Sequence, residues 1–174
     1  MKKPLKNTLS KSVVDVWVRP SWDEYFLGMA NYVGGKATCD RGRSGCVIVR
    51  DKRVISTGYV GSPPGLPHCD DVGHEMHKVT NEDGSESMHC VRTAHAEENA
   101  IAQAARFGVK IDGATIYSRM VPCFVCSKLC ITAGVKRIVV EKDYHSSKRS
   151  KEILKKAGVE LQIINEEVET YKNM

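Results

Sequence analysis

The segments His95-Ala96-Glu97 and Pro122 to Cys126 constrain the fold most, because they carry ligands that must meet if they bind one metal ion. Both are predicted to open helices, at 95–107 and 124–133. One imidazole and the thiolates of the C-x-x-C pair, Cys123 and Cys126, are ligands that zinc prefers, and they leave a fourth position open for water. A helix start also favours the thiolate over the thiol. We therefore expect the two helix starts to lie side by side, as they can after adjacent parallel strands of an α/β sheet.

Glu97 is the candidate for proton transfer at this site. A catalytic zinc lowers the pKa of its water to about 7, and a carboxylate beside it can take that proton and deliver it to a leaving group. Residues two apart point away from each other in mid-helix, so His95 and Glu97 are expected to converge in the irregular first turn. The alternative is a capped helix with an unrelated C-x-x-C pair, which also suits redox chemistry or simple burial. The order and spacing of the two segments favour the metal site.

The seven cysteines indicate metal ligation rather than a disulfide framework. The basic start of the chain has neither a long apolar region nor a small-residue cleavage site. We therefore expect no secretion signal and a reducing, cytoplasmic location. No apolar run approaches the roughly 18 residues of a membrane span. The net charge of +5 is mild, and it fits an anionic substrate as well as it fits a solvated surface.

The pattern of apolar residues predicts a single domain over residues 1–174, with an N-terminal extension at 1–19 and a tail at 165–174. Ser21 and Glu24 form a predicted capping box at the first helix, and Asp51–Lys52 is a predicted turn between two strands. Residues 60–91 have no periodicity and are predicted to be a long loop. The first helix is expected to bury Trp22, Phe26, Met29 and Val33. Further strands are predicted at 114–119, 136–141 and 159–164, and further helices at 95–107, 124–133 and 147–157. This order predicts an α/β domain of three layers, α/β/α, around a five-stranded mixed sheet.

Residues 20–164 resemble the deoxycytidylate (dCMP) deaminases of the cytidine deaminase-like superfamily. The resemblance rests on RPSWDEYF, ATCDRGRSGCVIV, STGYVGSPPGLPHCD, HCVRTAHAEENAIAQAA, GATIYSRMVPCFVCSKL, AGVKRIVV and DYHSS. The H-x-E and P-C-x-x-C motifs are shared by many zinc deaminases, whereas GLPHCD and HCVRTAHAE are more specific. The resemblance implies a hydrolase acting on a cyclic amidine, which converts dCMP to dUMP for thymidylate synthesis. It also implies a homohexamer, activation by dCTP and inhibition by dTTP, with Mg²⁺ alongside the effector nucleotide.

The family resemblance also implies a second, structural zinc. Its candidate ligands here are Cys39, Cys69, His74 and Cys90, which would close a tetrahedral shell of three thiolates and one imidazole. His74 stands where close relatives often have cysteine, and histidine remains able to bind the metal. Such a metal would explain how the segment 60–91 stays ordered. The rival ligands are His68, His77 and His89, while Cys46 and Cys130 are expected to be core residues.

Substrate and effector contacts are assigned mainly from family position. Val60 departs from the family pattern G-Y-N-G, whose asparagine contacts substrate. Because valine cannot form that hydrogen bond, which is worth about 0.5–1.5 kcal/mol, we expect altered affinity or sugar recognition. The other predicted substrate contacts are Ala96, Tyr144, Arg41 and Arg43, the two arginines as phosphate ligands. The predicted effector contacts are the backbone N–H groups of Gly58, Gly61 and Gly65.

Two other functions compete with dCMP deamination. A polynucleotide or tRNA deaminase would need a more basic surface and more aromatic rings for stacking bases, and this chain has only 6% aromatic residues. We therefore expect no nucleic acid polymer and no membrane among its partners. A non-catalytic nucleotide-binding protein, or one with an altered substrate preference, is favoured by Val60. The presence of His95, Glu97, Cys123 and Cys126 argues against the non-catalytic interpretation.

Overall fold

A twisted mixed sheet organises the computed structural model, which describes residues 17–80, 84, 86–165 and 167–169. The strands are β1 (Gly45–Arg50), β2 (Arg53–Tyr59), β3 (Met76–Thr80), β4 (Glu86–Cys90), β5 (Thr115–Met120), β6 (Arg137–Tyr144), β7 (Glu160–Ile163) and β8 (Val168–Glu169). The helices are α1 (Trp22–Gly34), α2 (Cys69–Val72), α3 (Ala96–Arg106), α4 (Phe124–Thr132) and α5 (Lys148–Lys156), with a 3₁₀ turn at Asp40–Gly42.

Within the described residues, the main sheet has the strand order β2-β1-β5-β6-β7, and the short β8 pairs with the far end of β6. Strand β1 is antiparallel to both β2 and β5, whereas β5, β6 and β7 are mutually parallel. The predicted mixed five-stranded sheet is therefore confirmed, with β8 as a two-residue addition.

Helices cover both faces of this sheet, which confirms the three-layer prediction. Helix α1 packs on one face, where Phe26, Leu27 and Ala30 meet side chains of β1, β5 and β6. Helices α3, α4 and α5 pack on the other face and bury residues such as Ala100 and Leu154. Strand β1 alternates between the two cores, which explains its almost continuous run of buried residues.

Local sequence signals explain where the first elements begin and turn. The capping box at α1 is confirmed: the Ser21 N–H donates to Glu24 Oε2 at 2.8 Å, and the Glu24 N–H donates to Ser21 Oγ at 3.2 Å. The turn at Asp51 and Lys52 is also confirmed, and both residues have positive φ, as a tight two-residue hairpin requires. The prediction that Trp22 is a core residue is wrong, because the side chain is 51% exposed and stacks on Phe26 from outside.

The long aperiodic loop predicted at 60–91 is wrong for much of its length. Helix α2 and the antiparallel hairpin of β3 and β4 lie within it. These strands escaped the sequence pattern because most of their residues are exposed, so they lack the alternation of apolar and polar residues that marks a half-buried strand. The predicted tail at 165–174 contains β8, and residues 166 and 170–174, like 1–16 of the N-terminal extension, lie outside the described residues.

None of the described helices is both long and apolar enough to cross a lipid bilayer.

Candidate active site and metal centres

His95, Cys123 and Cys126 meet at the ends of two helices, as their spacing predicts. The Nδ1 atom of His95 lies 3.4 Å from the Sγ atoms of both cysteines. A tetrahedral zinc with ordinary bond lengths of about 2.1 Å to nitrogen and 2.3 Å to sulfur would separate such atoms by about 3.6 Å. The three side chains therefore fit one zinc ion, and their number leaves one coordination position for another ligand.

The two helix starts meet because β2 and β5 point in the same direction. Helix α4 directly follows β5. Helix α3 begins only after the long segment that follows β2 and contains α2, β3 and β4. Strand β1 lies between β2 and β5, so the expectation that adjacent parallel strands bring the helices together is wrong. The antiparallel β1 is the element that makes its two neighbours parallel to each other. An isolated β-bridge between Gly61 and Ala94 holds the two ends of this segment together, so α3 begins close to the end of β2.

Extended backbone at each helix start turns the ligands toward one another. His95 is the N-cap of α3, with φ −71° and ψ 161°, and Cys123 is the N-cap of α4, with φ −60° and ψ 168°. Because His95 lies outside the helical turn, it can approach Glu97 as predicted. Glu98 stabilises this start, since its Oε2 accepts a hydrogen bond of 2.8 Å from the His95 N–H.

Glu97 is buried beside the three ligands, with only 7% of its surface exposed. Burial raises the pKa of its carboxyl group, and the nearby His95 and the Ser118 hydroxyl oppose that rise. A raised pKa makes the carboxylate a stronger base, which suits a group that takes up a proton during a reaction.

The electrostatics of the cluster favour a thiolate at Cys123. Hydrogen bonds from the Cys126 thiol and from His95 lower the pKa of the Cys123 thiol, against the effect of burial. The same hydrogen bond to Cys123 raises the pKa of His95 to about 9. The Cys126 N–H also points at Cys123 Sγ, at 3.5 Å, so the helix start contributes to the stabilisation of negative charge.

A second group of metal-ligating side chains brings together Cys39, Cys69, His74 and Cys90. Their ligand atoms all lie within 4.8 Å of one another. Cys39 Sγ is 3.6 Å from His74 Nδ1, and Cys69 Sγ is 3.6 Å from Cys90 Sγ. The corresponding separations around a tetrahedral zinc are about 3.6 Å and 3.8 Å. The four residues therefore fit a closed zinc site that joins the end of β4 to α2 and to the 3₁₀ turn.

The rival histidines lie outside both groups of ligands found among the described residues. His68 is the N-cap of α2, and His77 faces Glu75 with 61% of its side chain exposed. Cys46 and Cys130 are fully buried in the core, as predicted.

Comparisons with known proteins agree with this geometry. A sequence model of the family described as the cytidine and deoxycytidylate deaminase zinc-binding region matches residues 20–142. The chain belongs to this family. Its members are zinc-binding hydrolytic deaminases.

Individual relatives support the assignment to the dCMP deaminase branch of the family. ComE operon protein 2 of Bacillus subtilis is 42% identical over 81% of this chain and 70% of its own length. Deoxycytidylate deaminase of Saccharomyces cerevisiae is 38% identical over 82% of this chain, which spans only 44% of that enzyme. Deoxycytidylate deaminase of Mycobacterium phage D29 is 37% identical over 72% of this chain and 98% of its own length.

A solved structure of dCMP deaminase from cyanophage S-TIM5, in complex with dCMP and dUMP, shares the fold. It has a TM-score of 0.66 and 26% identity, and the match covers 84% of this chain and 99% of the phage protein. The three-layer architecture is therefore that of the dCMP deaminases.

The two arginines predicted as phosphate ligands in this deaminase chain lie in different environments. Arg43 is paired with Asp70 through two hydrogen bonds of 3.2 and 3.1 Å, and it also donates to the Ala37 carbonyl at 2.6 Å. Its guanidinium group anchors α2 to the entry of β1 in this structure, and its assignment as a phosphate ligand stays a prediction. Arg41 instead donates to the Met88 carbonyl on β4, at 2.9 Å.

Two other predicted substrate residues, Ala96 and Val60, lie in or against the core of the domain. Ala96 is buried directly between His95 and Glu97. Val60 packs partly against the core, and its backbone bonds to Ser44 and Thr38. The side chain of Val60 therefore serves packing in this structure.

Tyr144 is half-buried at the end of β6, with its ring 4.3 Å from that of His145, centroid to centroid. Burial raises the pKa of its hydroxyl group, and the charge of Cys123 adds to that rise. Tyr144 therefore lies within electrostatic reach of the catalytic cluster.

Two of the three glycines predicted to bind an effector have structural roles in the fold. Gly61 donates its N–H to the Ala94 carbonyl at 3.2 Å, so this donor is already used. Gly58 lies buried in β2 against the backbone of α3, where a Cβ atom would come within 2.3 Å of the Ala100 nitrogen. Gly65 is exposed with φ +89°, and its role toward an effector stays a prediction.

His89, a rival candidate for the second zinc, is not among the four side chains of that ligand group. The residue is half-buried on β4, and its pKa is lowered by burial first and then by the charges of Arg41, His95 and His145. Because successive side chains of a strand point to opposite faces, Cys90 points toward the second metal site and His89 points to the opposite side of β4.

Proposed function

We propose that this protein catalyses the zinc-dependent hydrolytic deamination of dCMP to dUMP, which supplies thymidylate synthesis. The proposal rests on one observation above all: His95, Cys123 and Cys126 converge with zinc-compatible separations beside the buried Glu97. Relatives named deoxycytidylate deaminase, and a structural neighbour bound to dCMP and dUMP, support dCMP as the substrate.

The residues divide the chemistry between them. Zinc, held by His95, Cys123 and Cys126, would activate the attacking water as a Lewis acid. The oxygen of that water bonds to C4 of cytosine, while Glu97 takes one proton of the water and delivers it to N3. Glu97 then carries the remaining hydroxyl proton to the amino group, the C4–N bond breaks, ammonia leaves, and the carbonyl of uracil remains. Burial of Glu97 suits this role, because its raised pKa lets the carboxyl group accept a proton and return it within one cycle.

The second zinc is proposed to be structural. Cys39, Cys69, His74 and Cys90 supply four ligands, which closes the coordination shell against substrate. The metal would connect segments that otherwise share few buried apolar contacts. The exposed hairpin of β3 and β4, whose residues are mostly outside the core, depends on such a connection.

Several properties stay predictions that rest on the family resemblance. They are activation by dCTP, inhibition by dTTP, magnesium binding with the effector, hexameric assembly and a cytoplasmic location.

The second candidate function is a deaminase with an altered substrate preference. Val60 favours it, because its side chain packs toward the core and offers no hydrogen bond to a nucleotide. This alternative keeps the same zinc, Glu97 and reaction, and changes only the recognition of the nucleotide.

The test is to incubate the zinc-loaded full chain with dCMP, CMP, deoxycytidine and a cytosine-containing oligonucleotide, and to measure product and ammonia. The proposal predicts that dCMP has the highest kcat/KM and that two zinc ions are present per chain. Preferential turnover of another of these cytosine compounds would establish altered preference. Turnover of none of them by zinc-loaded protein would overturn the deaminase assignment.

A further inference from the structure

The turn that follows β6 lies beside the catalytic ligands. Strand β6 runs parallel to β5, and its Lys142 pairs with Met120, just before the ligand Cys123. The Val121 N–H donates to the Lys142 carbonyl at 3.3 Å. The end of β6 therefore extends beyond its last pairing with β5, at the edge of the sheet where the chain turns toward Cys123.

A second contact fixes the far side of this turn, where α5 begins. The guanidinium carbon of Arg149, in the first turn of α5, lies 3.7 Å from the centre of the Phe124 ring. Phe124 directly follows the ligand Cys123. The charge of Cys123 also acts on the Tyr144 hydroxyl group. The turn at residues 144–147 is therefore held between two points that adjoin the catalytic cluster.

Asp143 joins the parts of this turn through one carboxylate. Its Oδ1 accepts hydrogen bonds from the Tyr144 N–H at 2.7 Å and from the Ser147 hydroxyl at 2.6 Å. Its Oδ2 accepts one from the Lys151 ammonium group of α5 at 2.5 Å. Burial raises the pKa of the Asp143 carboxyl group, but these three bonds outweigh burial and hold the pKa below its ordinary value. Asp143 is therefore an ionised carboxylate whose two oxygens both bind within the turn and α5.

The main chain around Asp143 is fixed as well. Its N–H donates to the Glu167 carbonyl at 3.0 Å, and Asp143 and Tyr144 pair with β8. The Ser147 N–H donates to the Tyr144 carbonyl at 2.9 Å, which closes the turn. Because the Asp143 side chain binds both ends of the turn from a fixed strand, it determines where the backbone of Tyr144 lies.

We propose that Asp143 is a positioning residue of the active site, which fixes the turn at residues 144–147 so that the Tyr144 ring packs against the bound nucleotide. The inference rests on the proposed function and on the contact of Tyr144 with substrate that the family resemblance implies. The Asp143 carboxylate acts without touching the nucleotide, since its hydrogen bonds lie within the protein. An aromatic ring stabilises a bound nucleotide only where its face meets the base or sugar. A shift of the turn therefore costs affinity even though every contacting side chain is still present.

The test is a double-mutant cycle between Asp143→Ala and Tyr144→Ala, with dUMP binding to the zinc-loaded full chain measured by calorimetry. Tyr144→Ala is expected to weaken dUMP binding about 10- to 100-fold, the usual effect of losing a stacked aromatic ring. Asp143→Ala should weaken it about 10-fold when Tyr144 is present. The same change should cost less than about 3-fold when residue 144 is already alanine, because no ring is left to position. Asp143→Asn should recover part of the loss, since its side-chain oxygen still accepts from the Tyr144 N–H, and the KM for dCMP should rise more than kcat falls.

A milder variant, Ser147→Ala, keeps the cycle decisive if Asp143→Ala does not fold. It removes one hydrogen bond from the carboxylate, and its loss of about 3-fold in dUMP binding should likewise vanish in the Tyr144→Ala background. The matched control is Asp112→Ala, because Asp112 also pairs with a lysine but lies before β5, at the opposite end of that strand from Cys123. This control should bind dUMP as the wild type does.

Two results would overturn the proposal. The first is an effect of Asp143→Ala and Ser147→Ala that persists in full when residue 144 is alanine, because it would indicate a general loss of site structure. The second is unchanged dUMP binding in Tyr144→Ala or in Asp143→Ala. Failure of the proposed function would appear differently, as wild-type protein that binds dUMP but does not deaminate dCMP.

Discussion

Gly58→Ala should test how β2 positions the catalytic helix. Gly58 faces α3 so closely that a Cβ atom would lie 2.3 Å from the Ala100 nitrogen and 2.4 Å from the Ala96 carbonyl oxygen. Both of these atoms belong to the backbone, so no side chain can rotate away. Relief requires the strand and the helix to separate.

The size of the separation follows from the contact distances. Ordinary van der Waals contact begins at 3.4 Å, so α3 must move by about 1 Å. Overpacking of this kind costs about 1–3 kcal/mol of the free energy of unfolding. His95 and Glu97 lie at the start of α3, and a displacement of about 1 Å in a catalytic group can reduce turnover about 100-fold. Gly58→Ala should therefore lose both stability and kcat.

Urea denaturation and dCMP turnover measure the two effects, and Gly28→Ala is the matched control. Gly28 is exposed in the middle of α1, and a Cβ atom there would meet nothing within 4 Å. The same substitution should stabilise the protein by about 0.5–1 kcal/mol at that position, through higher helix propensity. If Gly58→Ala matched the wild type in both stability and turnover, the close packing of β2 on α3 would be refuted as the device that positions the site.

Three further predictions concern charge, metal retention and substrate recognition. Asp23 accepts two hydrogen bonds of 2.8 Å from Arg137, which hold the pKa of its carboxyl group below 3.8. The contribution of this pair to the free energy of unfolding is complete above about pH 4 and is lost as pH falls through the pKa of the folded state. Asp23→Asn should therefore lower the free energy of unfolding by about 1–2 kcal/mol at pH 7, at the low end because the pair is partly exposed, and urea melts at pH 7 and pH 3 should show the difference shrink. Asp40 contacts His74 Nε2 at 3.0 Å, so Asp40→Asn should weaken zinc binding at the second site about 10- to 100-fold, measured by chelator competition with catalytic zinc retained; equal retention at both sites would contradict it. Val60→Asn should raise kcat/KM for dCMP about 2- to 10-fold if a lost hydrogen bond limits recognition, whereas a decrease would show that packing at this position matters more.

The central elements and the catalytic ligands could be predicted from sequence because each depends on local signals. The capping box of Ser21 and Glu24 marks the start of α1. The ligands His95 and Cys123 likewise lie at helix starts that the sequence pattern predicts. Ligand chemistry also limits the partners strongly, since two thiolates and an imidazole have few other common uses in this arrangement. The second cluster of Cys39, Cys69, His74 and Cys90 came from family resemblance rather than spacing, yet the four side chains do meet.

The remaining features depend on which distant residues become neighbours. Nothing local to Arg43 indicates that Asp70, 27 residues away, pairs with it. The buried contact of Gly58 with α3 likewise appears only when β2 and the helix are packed together. His89 could not be placed until β4 was recognised as a strand, and the polar residues of that hairpin hide its period.

Glu97→Gln, examined for dCMP turnover and zinc content together, tests the central claim most directly. The substitution keeps the size of the buried side chain and removes its ability to carry a proton. The account predicts that turnover falls by at least about 100-fold while zinc content stays at the wild-type value. Glu98→Gln is the adjacent control, because glutamine can still accept the hydrogen bond from the His95 N–H, and turnover should persist. Full turnover by Glu97→Gln would contradict the assignment of Glu97 as the proton carrier.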